Sequence, residues 1–134
     1  MSLVVKTATQ VPDDGPMQVE ERVAKGTTIG IGEEIFVWTA ETVGGEGLAR
    51  RGEVTGVTPA EVGGRQVITI RLGPGRPRRS FTKADLARRD YRGANRRRTY
   101  DAEETLSEKL LVHSLNRCVA LTGDEAAFLN DFFA

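Results

Sequence analysis

Cysteine, histidine and tryptophan each occur once in the 134 residues. No stretch approaches the roughly 20 consecutive apolar residues that a membrane-spanning helix requires. The lone Cys118 excludes an internal disulfide, and it excludes a zinc site of four cysteines or of paired cysteines and histidines. The opening Met1-Ser2-Leu3-Val4-Val5-Lys6 lacks a basic start followed by a long apolar run, so no secretory signal is expected. These absences point to a cytoplasmic protein with no membrane partner.

Catalytic chemistry is equally thin. His113 stands beside Val112 on a predicted helix, and its i+4 neighbour is Arg117, which is no metal ligand. Cys118 follows His113 by five residues, close enough for a nucleophile and base to meet across a turn. It lies, however, in an apolar run where a free thiol behaves as a small buried hydrophobe. Gly30-x-Gly32 and Gly44-Gly45-x-Gly47 look like phosphate loops, yet neither precedes a helix or ends in Lys-Ser/Thr. Glu33-Glu34 and Glu103-Glu104 are adjacent, so on a strand they face opposite ways and on a helix they diverge by about 100°. No enzyme, metal or cofactor is expected.

What is present is an ordinary globular composition, 39% hydrophobic and 28% charged, of a size for one domain over residues 1–134. Net charge is zero, but its distribution is uneven. Between Arg65 and Arg98 stand twelve Lys and Arg against two acids, a local balance of +10 that the rest of the chain cancels. Such asymmetry fits a basic face for a polyanion, because arginine is weakly hydrated and forks onto phosphate. The same arginines could instead solvate a loop and pair with the acidic remainder.

Strands are predicted at Leu3–Thr7, Glu34–Ala40, Leu48–Val57, Arg65–Leu72 and Cys118–Leu121, from β-branched and alternating patterns. In the second of these, Ile35, Val37 and Thr39 point one way and Phe36 and Trp38 the other, which predicts a central strand covered on both sides or one whose second face lines a pocket. Gly52 and Gly56 predict bulges or bends in the strand after it. The middle three strands read as an antiparallel meander. Pro16 before and Gly26 after predict a short helix over Met17–Lys25, with Val19 and Val23 on one face. Arg78–Phe81 reads as a brief strand, and Thr82 as the cap of a helix over Lys83–Arg89. Leucine spacing predicts a helix over Asp101–Asn116, and Thr122 with Glu125 forms a capping box for a last helix, Gly123–Phe133. Together these give a β-rich α+β fold, a barrel of mainly antiparallel strands with short helices around it.

Candidate binding residues cluster in three places. Trp38 ends the best strand beside the glycine-rich connection; it either stacks on an unpaired or flipped base or closes the end of the barrel as core. Arg78-Arg79-Ser80 follows a glycine-proline loop and suits phosphate. Tyr91, Arg92, Asn95, Arg96, Arg97 and Arg98 interleave aromatic, amide and guanidinium groups, a mixture suited to unpaired bases or to a solvated loop.

The run Gly32-Glu33-Glu34-Ile35-Phe36-Val37-Trp38, followed by Gly44-Gly45-Glu46-Gly47-Leu48-Ala49-Arg50-Arg51-Gly52-Glu53-Val54, resembles the EVE domain and its PUA-like relatives. There a strand ends in an aromatic, a glycine-rich loop follows, and the next strand has the form Gly-aliphatic-x-x-x-Gly-x-Val. The close Leu121-Thr122-x-x-Glu125-Ala126-x-Phe128-Leu129 is similar in layout. The resemblance implies a PUA-like β-barrel that reads nucleic acid, several relatives taking modified bases in an aromatic-lined pocket. Carried over, Trp38 and the loop from Gly44 to Leu48, Gly45 and Gly47 among it, would border that pocket, with Arg50 or Arg51 on the adjoining strand. The arginine-rich stretch Arg76–Arg98 has no counterpart in the pattern.

The expected function is therefore a non-catalytic nucleic-acid-binding domain, DNA or RNA. The alternative is a protein-interaction or self-assembly module whose opposed charged faces pair across a homodimer.

Overall fold

The computed structural model describes residues 2–9, 11–13, 15–24, 26–39, 47–59, 65–82, 106, 110 and 118–133. Six strands are formed: β1 (Ser2–Thr7), β2 (Pro16–Arg22), β3 (Glu34–Thr39), β4 (Gly47–Pro59), β5 (Arg65–Leu72) and β6 (Cys118–Leu121), and a helix, α1 (Gly123–Asn130), follows them. They make one sheet in the order β2-β5-β4-β3-β1-β6. All neighbours are antiparallel except β1 and β3, which run parallel from Ser2 opposite Glu34 to Thr7 opposite Thr39.

The sheet curls into a half-barrel, and its two edge strands meet at an isolated bridge between Val23 and Cys118. The Ala24 N–H donates to the Cys118 carbonyl at 2.9 Å, and the Ala120 N–H to the Thr27 hydroxyl, so β6 has its outer edge covered there. Inside the curl lie Leu3, Val5, Met17, Val19, Ile35, Val37, Val54, Ile68, Ile70 and Cys118. Outside it, Val4, Phe36, Trp38 and Leu48 form a second apolar layer with Phe81, Leu106, Leu110 and the α1 residues Ala126 and Leu129. The alternation of β3 supplies both layers at once, since Ile35 and Val37 face in while Phe36 and Trp38 face out.

The meander and the five sequence-predicted strands are present, and the β-rich α+β class stands. Gly56 sits at a register shift in β4, where Thr55 is the extra residue between Val54 and Gly56 against Ile70 and Thr69 of β5. A second shift makes Ala49 the extra residue between Arg50 opposite Val37 and Leu48 opposite Trp38. Gly52 lies where a side chain would run into the Arg71 carbonyl, so its lack of Cβ lets β5 approach.

Three expectations are corrected. The helix predicted over Met17–Lys25 is a strand: Met17 and Val19 are buried while Pro16, Gln18 and Glu20 are exposed, a period of two that pairing with all of β5 satisfies. The four-residue spacing of Val19 and Val23 misleads because Val23 belongs to the bridge beyond the strand. Arg78–Phe81 is not a strand; of it only Phe81 forms a bridge, to Gly47. The final helix ends at Asn130, not Phe133, and the chain turns there. Its capping box is as predicted, the Glu125 N–H donating to Thr122 Oγ1 at 3.1 Å and the Thr122 N–H to Glu125 Oε1 at 2.8 Å. The helix predicted over Lys83–Arg89 lies outside the described residues, as does the one over Asp101–Asn116 except for Leu106 and Leu110, both buried.

Candidate nucleic-acid interface

Two prolines and two glycines between Gly73 and Pro77 prevent regular structure, and the chain after β5 runs as an irregular loop to Phe81. Backbone bonds pin it at both ends. The Gly73 N–H donates to the Arg51 carbonyl at 2.9 Å, and the Leu48 N–H donates to the Phe81 carbonyl at 2.9 Å. Gly47 has φ of 82°, and a Cβ there would collide with the Phe81 carbonyl, so glycine is required for the loop to seat against β4. Midway, the Arg78 N–H donates to the Phe132 carbonyl at 2.6 Å, tying the loop to the turn after α1.

That turn is aromatic. Phe81 stacks on Phe132 with centroids 4.7 Å apart and planes 20° apart, and Phe128 meets both rings edge-on. Over this base two guanidinium groups are placed. The Arg79 guanidinium carbon stands 4.3 Å from the Phe132 centroid, and that of Arg51 stands 4.9 Å from the Phe133 centroid. A cation over a phenyl face is favourable by about 0.5–1 kcal/mol at exposed sites. Arg51 is fixed further by donating to Asn130 Oδ1 at 2.5 Å, while Asn130 Nδ2 donates to Glu34 Oε1 at 3.3 Å. Ser2 Oγ donates to the same carboxylate oxygen at 3.0 Å. Arg78, Arg79 and Ser80 are all exposed.

The predicted residues divide sharply. Arg78, Arg79, Ser80 and Arg51 come together around the α1 turn. Trp38 does not join them as an exposed ring: it is 1% exposed and meets Phe81 edge-on at 5.6 Å. Its indole presents no face to a base, and of the two readings the structure has the core tryptophan. It lies in the layer outside the curl rather than at the barrel's end. Arg50 is also internal, 3% exposed. It shares a face with Val37 and Val54, and its guanidinium donates to the carbonyls of Asp13 at 2.7 Å, Pro12 at 3.4 Å and Gly73. It is a staple between two loops, not a surface cation. Gly47 is buried and serves the packing of the loop. Gly45, Tyr91, Arg92, Asn95, Arg96, Arg97 and Arg98 lie outside the described residues.

Other basic residues of the arginine-rich stretch carry acidic partners: Arg65 with Glu20 at 3.7 Å, Arg71 with Glu53 at 3.1 Å and Arg76 with Asp13 at 2.7 Å. All are solvent-exposed pairs, worth about 0–1 kcal/mol each, so a phosphate could displace the carboxylate at small cost. Sequence reasoning missed Asn130 and Phe133. In the sequence Phe133 only closes the last helix, and nothing local marks Asn130; both act through contacts distant in sequence.

Among the described residues no three His, Cys, Asp or Glu side chains converge to hold a metal ion. None of the helices there is long and apolar enough to cross a membrane. Burial pushes the Cys118 thiol up to about 12, with the Glu21 and Glu33 carboxylates adding to the shift, so at neutral pH it is a protonated core group. Comparison with protein-family models, curated proteins and solved structures finds no match for this chain.

Proposed function

We propose that this chain is a non-catalytic, cytoplasmic nucleic-acid-binding domain of PUA-like layout, gripping the phosphate backbone through the Arg78–Arg79–Ser80 loop. The observation that carries the reading is Arg79. It is exposed, and among the described residues its guanidinium meets a phenyl ring and no carboxylate, so there its charge is held in place without being neutralised. The excess of twelve bases over two acids between Arg65 and Arg98 supports a polyanion as the partner. The half-barrel, with a glycine-rich connection between β3 and β4, supports the PUA-like layout.

The test is fluorescence anisotropy with a labelled oligonucleotide across a salt series. If about six arginines meet duplex phosphates, log K falls against log salt with a slope of about −5. A flat response counts against the reading. Size-exclusion at low and high salt runs alongside: a dimer that dissociates in salt, without oligonucleotide binding, favours the self-assembly reading instead.

A further inference from the structure

We infer that the bases are met at the Arg79–Phe132 and Arg51–Phe133 pairs, and that the polymer this surface takes is single-stranded. The inference rests on the phosphate-gripping reading and adds to it a substrate class. Trp38, the aromatic read from the sequence as a stacking surface, is enclosed, so a base needs another surface. A guanidinium is flat and delocalised, and nucleobases stack on it as they do on an aromatic ring. The Arg79 guanidinium carbon stands 4.3 Å from the Phe132 centroid, and the residue as a whole is exposed to solvent.

The support beneath is stiff. Phe132 is 5% exposed and stacked on Phe81, which packs edge-on to Trp38. The Phe132 carbonyl takes the Arg78 N–H, which fixes the loop that carries Arg79. Arg51 repeats the arrangement on the next residue, half-buried over Phe133 and held by Asn130. Pre-placed cations lose little freedom on binding, so their contact energy is realised in full.

A platform on an exposed loop can reach only bases already out of a helix. In a duplex each base face is covered by its neighbours, and extrusion costs a few kcal/mol, which stacking on one exposed guanidinium does not fully return. In a single strand the faces are available, and stacking is tolerant of sequence because every base has one.

The experiment compares three labelled probes of equal length at one salt concentration: a mixed-sequence single strand, its blunt duplex, and an abasic strand carrying the phosphates without bases. The expected result is roughly tenfold tighter binding of the single strand than of the other two. Arg79→Lys keeps the charge and removes the plane; it should erase most of that preference, the single strand losing several-fold more affinity than the duplex or the abasic strand. Equal affinity for the three probes, or a preference that Arg79→Lys leaves intact, overturns the stacking inference and spares the phosphate grip. Absence of binding to every probe overturns both.

Discussion

Arg50 donates from the interior of the half-barrel to the Asp13 carbonyl at 2.7 Å, joining the turn after β1 to the start of the loop at Gly73. Each hydrogen bond from a charged donor is worth about 1.5–3 kcal/mol, and losing the donor strands the carbonyls. Arg50→Ala should lower stability by about 3 kcal/mol in urea unfolding. Below the unfolding transition, its oligonucleotide affinity should match that of the parent protein; a weakened grip in fully folded variant would make Arg50 a contact residue after all.

Arg78 and Arg79 carry the opposite expectation. Replacing both by Ala should lower the melting temperature by only a few degrees, since both are exposed and the Arg79–Phe132 contact is worth about 0.5–1 kcal/mol. The salt slope of duplex binding should become shallower by about two, one for each phosphate that is no longer gripped. An unchanged slope would place the phosphate grip elsewhere.

Trp38 is the sole tryptophan, so its fluorescence reports on one site. Enclosed at 1% exposure, it should emit at short wavelength, resist quenching by iodide and stay unchanged when oligonucleotide is added. Quenching by the oligonucleotide would return the indole to the binding surface. Trp38→Ala should cost about 3–5 kcal/mol, through the cavity left beside Phe81 and Leu48.

The Cys118 thiol gives a pH signature. Its value in the folded chain is raised from 9.0 to about 12, so between those limits the folded state holds a proton that the unfolded state has released. Stability from this group is intact below about pH 9 and declines as pH rises towards 12. Cys118→Ala should flatten that part of the alkaline unfolding curve relative to the parent. At pH 8, thiol reagents should modify the folded protein far more slowly than the protein in denaturant.

Capping of α1 offers a local check on the turn that holds the two arginines. Thr122→Ala removes the acceptor for the Glu125 N–H and should cost about 1 kcal/mol. Loosening α1 in this way should also weaken oligonucleotide binding slightly, since Asn130 and Phe132 follow directly from it.

Strand periodicity was the legible part of this chain, and β3 is the clearest case, because its two apolar faces predicted the two layers that flank the sheet. Alternation could also have separated the neighbours Arg50 and Arg51. Counting back from Val54 and Gly52 puts Arg50 on the inner face and Arg51 on the outer one, as the register with Val37 and Phe36 has it. β2 was misread because proline before and glycine after a segment are helix punctuation and strand punctuation alike. Only the pairing with β5 decides between them. Asn130 and Phe133 were out of reach for a different reason. Their contacts with Arg51 join positions on β4 to the end of the chain, and no local pattern encodes such a meeting.

The join between Val23 and Cys118 has a mechanical corollary. Five strand pairings hold the sheet across its width, but among the described residues its two ends are linked by one bridge, the backbone bond from Ala24 and the bond from the Ala120 N–H to the Thr27 hydroxyl. The wall therefore behaves as a cuff with a seam, able to gape along one line while every ladder stays zipped. Amide protons beside that line should be the first to trade with solvent.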